Sequence, residues 1–571
     1  MKSVTAAIPD RQLRTEEIPI TWRPSLLECL AIFLGSCVLL FLGMSLHPYP
    51  YDEGLVLTAA MRVAAGQVPH RDFYANYGPA QFYILAGLFK LFGSSVFVER
   101  LYCLCIEGML VVTMYVVAGL HCRRSIAACT ALLTVVWIFG IGATAGSPIM
   151  PALLINILGC VPVCEAFTGP APRRLMAAAG ALAGLGFLFR YDTGIALVGI
   201  QCLVIAIAVF SRTESSRFRA FLAAVWPCLA GFTAVTLLPV VCYLSVAPLQ
   251  AVLHDIVLYP SKYYRAARGL PFPGLSLRGL DNIALYLPLV IIGTCFYIVV
   301  KTGLDGRQKK VAGRAEAGQD TGWCGFLLTY SILGLVMYFK GIVRISLPQE
   351  FLSIIPTLLP VAVLFERRAT FSRPMRGAIV VLVWLSVFPA VWASLKTTRL
   401  LYLRQDSVPR YLWSSMRNTA PAAQRNWCRA ESPMTRGFCF SSDDDRIRAI
   451  EFIEAHTGPG QKLFVGLPRH DQIIINDNLF YFASGRLPAT HWSHFDPDLQ
   501  NRYDIQTRMI QEFNVDPPGY IVEDAEYAGE TEPNDSSKST GVTLLDEYIH
   551  RNYRQVEAYG NFTVWQRIST P

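Results

Sequence analysis

The chain has 571 residues, of which 53% are hydrophobic and 16% charged, and its formal net charge is +8. Soluble domains carry about one quarter charged residues, so the composition excludes an ordinary soluble protein. The positive charge does not indicate nucleic-acid binding, because Lys and Arg lie in short loops between apolar blocks, as is typical of membrane topology.

Apolar blocks of about 18–25 residues, the length that a helix needs to cross a bilayer, recur along the chain. A polar, basic tail (1–25) precedes the first block at 26–46. We expect that block to be a retained span, because it is long for a signal peptide and no A-x-A-like cleavage site follows it. Ten further spans are predicted at 96–119, 125–143, 149–167, 175–190, 193–210, 219–245, 282–300, 322–339, 351–365 and 377–394.

The distribution of basic residues predicts the orientation of these spans. With the N-terminus in the cytoplasm, the cytoplasmic stretches hold about 20 Lys and Arg residues and the short outer loops about 11, as the positive-inside rule requires. We therefore expect an integral protein of the inner or plasma membrane. An odd number of spans places residues 395–571 outside the cytoplasm.

The first outer loop (47–95) begins with the acidic pair Asp52–Glu53. Helices are predicted at 53–65 and 79–92, the second with apolar residues spaced to lie in the membrane interface. Five tyrosines give the aromatic belt expected at headgroup depth: Tyr49, Tyr51, Tyr74, Tyr77 and Tyr83. The acidic pair is therefore expected beside the lipid headgroups.

A carboxylate at this depth suits sugar transfer from a polyprenyl-phosphate donor, whose phosphate and anomeric carbon lie at the interface. The carboxylate can accept the proton of the attacking acceptor hydroxyl. Because phosphate is a good leaving group, inversion needs no second carboxylate. The alternative interpretation is structural: Asp52 caps the following helix and Glu53 lies in its first turn.

Residues 395–571 are predicted to form a small α/β domain. We expect a helix after the acidic cluster 443–445, strands at 462–466, 519–522 and 562–566, and a helix near 542–552; the acidic cluster is interpreted as a helix cap rather than a metal site. No phosphate-binding glycine motif or nucleophile elbow occurs, so no chemistry is assigned to this domain. The chain has no CxxC pair and no metal site is predicted, but a disulfide between Cys428 and Cys439 is expected in an oxidising compartment.

A run of residues from the first outer loop into the following predicted span resembles the GT-C glycosyltransferases. The closest group is the protein O-mannosyltransferase-like superfamily with its aminoarabinose and galacturonosyl transferases of lipid A. The residues of this run are Asp52–Glu53, Arg62, Gly66, Arg71–Asp72–Phe73, Gly78–Pro79, Phe92–Gly93 and Arg100. The resemblance is strongest over 26–125 and weaker through 395. It implies a GT-C-like transmembrane domain (26–394), with Asp52 as general base and Glu53 as its catalytic neighbour.

The resemblance also implies a second interfacial segment around Arg71–Asp72. Many family members carry a further acid in the next outer loop, but residues 144–150 contain none. No cofactor is assigned, and dependence on a divalent cation is left open.

Basic residues of the outer loops are the candidates for holding the donor phosphate, because the planar Arg fork binds two oxygens. They are Arg190, Lys262, Arg265, Arg268, Lys340 and Arg344. Arg190 and Asp192 lie at the outer ends of two spans; a mutually satisfied ion pair is the structural alternative. The loop 254–274 resembles a lid over the donor, with interfacial anchoring as the alternative. The predicted substrate-binding set is Arg71, Asp72, Arg190, Asp192, Lys262, Tyr263, Arg265, Lys340 and Arg344.

Three functions are compatible with this organisation. The favoured one is a membrane glycosyltransferase that moves a sugar from a polyprenyl-phosphate donor to a lipid, glycan or protein acceptor. A transporter or flippase of a lipid-linked substrate would need more ionisable residues deep in the spans. A non-catalytic protein with a binding outer domain would not need so many spans.

Overall fold

A computed structural model describes residues 23–142, 146–169, 172–211, 216–275, 281–311, 322–403, 408–417, 427–428 and 432–568. Most of the predicted N-terminal tail lies outside these ranges. The helices of the first two thirds of the chain are α1 (Leu26–Leu42), α2 (Asp52–Ala64), α3 (Ala80–Phe92), α4 (Val96–Gly119), α5 (Arg124–Ile141), α6 (Ile149–Cys164), α7 (Arg173–Phe189), α8 (Tyr191–Phe210), α9 (Arg217–Leu244), α10 (Leu249–Leu253), α11 (Arg265–Arg268), α12 (Asp281–Val311), α13 (Gly322–Gly341), α14 (Leu347–Glu366) and α15 (Arg373–Leu403).

The predicted polytopic helical fold is confirmed. Among the described residues, nine helices are long and apolar enough to cross a membrane: α4, α5, α6, α8, α9, α12, α13, α14 and α15. Helices α1 and α7, of 17 residues each, coincide with the two remaining predicted spans. Long apolar runs become helices because only a helix satisfies every backbone group within its own segment.

Ion pairs distinguish the two ends of the helical bundle. At one end Arg124 contacts Glu28 at 2.7 Å and Arg123 contacts Glu366 at 3.5 Å. At the other end the first loop (43–95), residues 190–192, the segment 245–275 and residues 340–346 meet. The predicted outer loops therefore share one end of the bundle.

The C-terminal domain contains α16 (Val408–Met416), α17 (Asp444–His456), α18 (Leu479–Ser484), α19 (Tyr503–Val515) and α20 (Leu544–Asn552). Its sheet has the order β2-β1-β3-β5-β4, formed by β1 (Lys462–Gly466), β2 (Leu487–Pro488), β3 (Tyr520–Asp524), β4 (Tyr553–Tyr559) and β5 (Phe562–Arg567). Strands β2, β1 and β3 run parallel, whereas β5 is antiparallel to both β3 and β4.

The three predicted strands and the two predicted helices of this domain are confirmed. Asp443 caps α17, since its side chain accepts a hydrogen bond from the Arg446 amide at 2.8 Å. The prediction missed α16, α18, α19, β2 and β4. Strand β4 lies at the edge of the sheet, and its side chains are mostly exposed and therefore lack an apolar alternation. The predicted disulfide between Cys428 and Cys439 is present.

The C-terminal domain and the first loop share one hydrophobic core. Buried side chains of α2 and α3, such as Val56 and Phe82, belong to the same apolar cluster as Phe440, Ile450 and Phe480 of the C-terminal domain. The α2–α18 contact includes hydrogen bonds from the Leu479 amide to the Pro50 carbonyl (2.9 Å) and from the Thr58 hydroxyl to the Asn478 carbonyl (2.8 Å). The domain therefore packs directly on the helix that begins with Asp52.

Gly54 allows this close approach, and its replacement tests the contact. A methyl group on Gly54 would overlap the backbone of Leu479 and come within 2.9 Å of the Asn478 carbonyl carbon. We expect Gly54→Ala to lower the apparent melting temperature of the purified protein, because overpacking a core costs about 1–3 kcal/mol. The control is Gly87→Ala in α3, where a methyl group meets nothing within 4 Å. Equal melting temperatures for both variants would contradict the packing described here.

Candidate functional site

Asp52 is the first residue of α2, and among the described residues its carboxylate has no hydrogen-bond or ion-pair partner. The N-cap residue is Tyr51, and no side chain caps the helix, so the structural interpretation of Asp52 as a cap is wrong. Its side chain is exposed, yet burial raises its pKa. Protein therefore surrounds much of this carboxylate, while water still reaches it.

Two guanidinium groups lie within electrostatic reach of Asp52. Arg268 and Arg344 both oppose the rise in the pKa of Asp52, whereas the carboxylate of Asp496 adds to it. Burial raises the pKa of Tyr264, and Arg268, Arg344 and Arg190 lower it again. Three Arg residues from three different segments therefore act electrostatically on this tyrosine.

The predicted residues Arg190, Asp192 and Lys340 form one cluster beside this site. Arg190 contacts Asp192 at 3.2 Å, and the Lys340 ammonium contacts the same carboxylate at 2.7 Å. The Arg190 guanidinium lies 5.6 Å from the ring centre of Tyr77. Burial raises the pKa of Tyr77, and the Asp52 carboxylate raises it further, whereas Arg190 lowers it. Tyr77 is therefore within electrostatic reach of both Asp52 and Arg190.

We call the region around Asp52 in which these groups influence one another electrostatically the Asp52 recess; it comprises Asp52, Tyr77, Tyr264, Arg190, Arg268 and Arg344. Arg344 approaches it from the turn after α13, where its two terminal nitrogens donate to both Glu532 oxygens at 2.9 and 2.6 Å. These bonds lower the pKa of Glu532 to about 2, so the carboxylate is ionised at neutral pH. Arg344 also donates to the Arg268 carbonyl at 3.3 Å, which joins the two cations.

Glu53, predicted as a catalytic neighbour of Asp52, lies on a different face of α2. Its side chain is fully buried, and Arg100 of α4 donates to both carboxylate oxygens at 2.6 and 2.7 Å. The Tyr49 amide donates to the same carboxylate at 2.8 Å. With these bonds Glu53 cannot reach a substrate, and its role in this structure is to anchor the first turn of α2.

Arg71 and Asp72, predicted to bind substrate, do not line the Asp52 recess. They pair with each other at 2.7 Å in a separate polar groove of about 480 Å³ near the C-terminal end of α2. In that region Arg62 donates to the Asp72 carbonyl. Arg62 follows Asp52 by ten residues, which is about 15 Å along a helix.

The predicted lid residues lie on an irregular helix that runs from α10 to α11 through two π-helical turns, His254–Leu258 and Pro260–Tyr264. Tyr263 packs on Tyr259 and accepts a hydrogen bond from Arg502 at 3.2 Å, so it contacts the C-terminal domain rather than the recess. Lys262 and Arg265 are exposed. The helix presents Arg268 and Tyr264 to the recess instead.

The sequence interpretation assigned no role to Asp496 or Glu532. Both belong to the C-terminal domain. Asp496 contacts Arg268 and Glu532 contacts Arg344, in each case across more than 180 residues of chain. The one local signal at Asp496 is the run HWSHFDPD (491–498), a concentration of aromatic and His residues in an otherwise ordinary polar region. Within the described ranges, no group of three or more His, Cys, Asp and Glu side chains is arranged to hold a metal ion.

Comparisons with known proteins concern the fold of the chain. Residues 76–243 match the family model described as dolichyl-phosphate-mannose-protein mannosyltransferase. ArnT from Cupriavidus metallidurans bound to undecaprenyl phosphate has a TM-score of 0.54 and 16% identity, covering 96% of this chain and 99% of that one. Its apo form gives a TM-score of 0.52 and 13% identity, covering 95% and 99%. No curated protein matches the chain.

A further solved structure is the Archaeoglobus fulgidus oligosaccharyltransferase tethered with an acceptor peptide. Its TM-score is 0.46 with 10% identity, covering 87% of this chain and 69% of that one.

The chain is thus a multi-pass membrane protein with the GT-C fold. Residues 76–243 are similar to a mannosyltransferase family, and the fold is similar to that of ArnT. The matched family segment begins after Asp52, so the role of Asp52 depends on the geometry of the recess.

The buried Glu53–Arg100 pair predicts a large stability effect. Arg100→Gln leaves the buried carboxylates Glu53 and Glu99 without their cation, which costs about 3–5 kcal/mol of unfolding free energy. We expect a clear fall in the melting temperature of the purified protein and partial recovery in the double variant Glu53→Gln, Arg100→Gln.

The matched control is Arg124→Gln, which breaks the more exposed pair with Glu28 and should change the melting temperature little. A melting temperature for Arg100→Gln as high as that of the control would contradict the anchoring role.

Proposed function

We propose that this protein transfers a sugar from a polyprenyl-phosphate donor to an acceptor hydroxyl, with inversion, and that Asp52 is the general base. The observation that carries the proposal is the Asp52 recess. It holds an accessible carboxylate at the start of α2, with Arg268 and Arg344 in electrostatic reach. A base and phosphate-binding cations within one recess are what this reaction requires.

The chemistry follows from these positions. Asp52 accepts the proton of the acceptor hydroxyl while its oxygen forms a bond to the anomeric carbon of the donor sugar. The bond between that carbon and the phosphate oxygen breaks, and polyprenyl phosphate leaves with the electron pair. Arg268 and Arg344 would stabilise the charge that develops on the leaving phosphate, because preorganised cations act strongly in a partly desolvated site.

The surroundings of Arg344 also suit the isoprenoid tail of the donor. An apolar groove of about 340 Å³ adjoins it, lined by residues such as Leu270, Leu285, Ile345 and Leu347. ArnT, whose fold this chain shares, was crystallised with undecaprenyl phosphate. We therefore take undecaprenyl phosphate as the probe for the donor site.

The membrane orientation proposed from the sequence adds the side of the membrane on which the site lies. The N-terminus faces the cytoplasm, and the recess and the C-terminal domain face the opposite side of the membrane. All loops that line the recess lie at one end of the bundle, opposite the Arg123 and Arg124 end, in agreement with the positive-inside rule. The acceptor is then a lipid, glycan or protein of the cell envelope.

Replacing the proposed base should separate catalysis from binding. In liposomes containing labelled undecaprenyl-phosphate sugars and envelope extract, we expect Asp52→Asn to abolish sugar transfer, because an amide cannot accept the proton. Binding of undecaprenyl phosphate, measured by native mass spectrometry, should persist. The control, Asp72→Asn, removes a carboxylate of the same loop outside the recess and should retain transfer. Wild-type transfer rates in Asp52→Asn would exclude Asp52 as the base.

Replacing either partner of the Arg344–Glu532 pair should change the affinity for the donor, in opposite directions for the two residues. Because the donor phosphate must replace the Glu532 carboxylate at Arg344, Arg344→Ala should weaken undecaprenyl phosphate binding at least about tenfold, whereas Glu532→Gln should strengthen it. Asp535→Asn in the same loop breaks an exposed pair with Lys538 and serves as control. Weaker binding in Glu532→Gln, or unchanged binding in Arg344→Ala, would place the phosphate elsewhere.

A further inference from the structure

The segment 491–502 of the C-terminal domain lies against the loops that form the Asp52 recess. The Tyr74 amide donates to the His491 carbonyl at 3.1 Å. The Tyr259 hydroxyl donates to the Pro497 carbonyl at 2.8 Å. The segment is thus hydrogen-bonded both to the first loop and to the irregular helix that carries Arg268.

Asp496 is the charged residue at the centre of this contact. One of its oxygens accepts from Arg268 at 2.8 Å and from the Tyr51 hydroxyl at 3.1 Å. The other accepts from the Tyr74 hydroxyl at 3.3 Å. The Asp496 amide donates to the Gln500 side chain at 2.8 Å, which fixes the turn that presents the carboxylate.

The groups held by Asp496 are those nearest to the proposed base. Tyr51 precedes Asp52 in the chain, and Arg268 donates to its hydroxyl at 3.1 Å. Arg268 is also the cation with the strongest influence on Asp52. Without Asp496, Arg268 would lose its buried carboxylate and could pair directly with Asp52, which would occupy the base.

We propose that Asp496 is a positioning residue of the transfer site, which keeps Arg268 and Tyr51 beside Asp52 and thereby makes the C-terminal domain part of that site. This inference rests on the proposed function. It extends that function, because it assigns a catalytic contribution to a domain that shows no active-site motif of its own.

The charged groups around Asp496 and Asp52 determine in which direction the pH–rate profile should move. Asp496 faces Arg268, His494, Tyr51, Tyr74 and Tyr259. Asp52 faces Arg268, Arg344, Asp496, Tyr51 and Tyr77. Burial lowers the pKa of His494 to about 4, so this histidine is neutral at neutral pH and leaves Arg268 as the main cation opposite Asp496.

Two variants of the full-length protein in liposomes test the role of Asp496. At saturating labelled undecaprenyl-phosphate sugar, Asp496→Ala should release undecaprenyl phosphate about 10–100-fold more slowly than wild type, because misplaced catalytic groups cost that much. Asp496→Asn keeps an acceptor for Arg268 and Tyr51 and should recover most of the rate. Since the lost negative charge had raised the pKa of Asp52, the acid limb of its pH–rate profile should move to lower pH.

The control is Asp504→Asn, which removes a carboxylate paired with Arg502 at the surface of the same domain and should leave rate and pH profile unchanged. A wild-type rate in Asp496→Ala would overturn the proposal. An acid limb that does not move in Asp496→Asn would also overturn the proposal, and this test remains available even if Asp496→Ala fails to fold. If wild type itself neither binds undecaprenyl phosphate nor turns over the donors, the proposed function fails, whatever the role of Asp496.

Discussion

The buried ion pair between Glu53 and Arg100 is the interaction on which the geometry of the site depends. Two charges without access to water are stable only when they are paired and hydrogen-bonded, so the pair fixes the first turn of α2 against α4. On another side Gly54 lets the backbone of α18 approach α2 closely. With these two faces held, Asp52 is left facing the open recess, and neighbouring acidic residues acquire different roles.

Each cation of the Asp52 recess is balanced by a carboxylate, which for Arg268 and Arg344 comes from the C-terminal domain. Arg268 pairs with Asp496, Arg344 with Glu532, and Arg190 and Lys340 share Asp192. This balance removes the cost of holding several positive charges together before an anion binds. The pairs differ in burial: Arg268 and Asp496 are nearly inaccessible, whereas Arg344 and Glu532 are partly exposed. We therefore regard the first pair as a fixed part of the site and the second as exchangeable.

The C-terminal domain contributes to this arrangement in three ways. It shares a hydrophobic core with the first loop, it packs on α2 through α18, and it supplies Asp496 and Glu532. A domain attached to the bundle only through its covalent linker would provide none of these contacts. The irregular helix between α10 and α11 complements it, because its π-helical turns lead to Tyr264 and Arg268 at the recess; π-helical turns are frequent at functional sites.

The sequence by itself determined where the apolar helices lie, the helical first loop with Asp52 near the start of its first helix, and the GT-C-like fold. Each depends on local pattern: the length of an apolar run, or residues within one loop. Only the tertiary structure decided that Glu53 is buried and that Arg71 and Asp72 line a separate groove near the C-terminal end of α2. It also decided that Arg268, rather than its neighbours Lys262 and Arg265, reaches the recess. Those outcomes depend on contacts between segments far apart in the chain, such as Arg268 with Asp496 and Arg344 with Glu532. No local periodicity encodes such contacts, because the partner of a buried charge is chosen by how whole helices and domains pack.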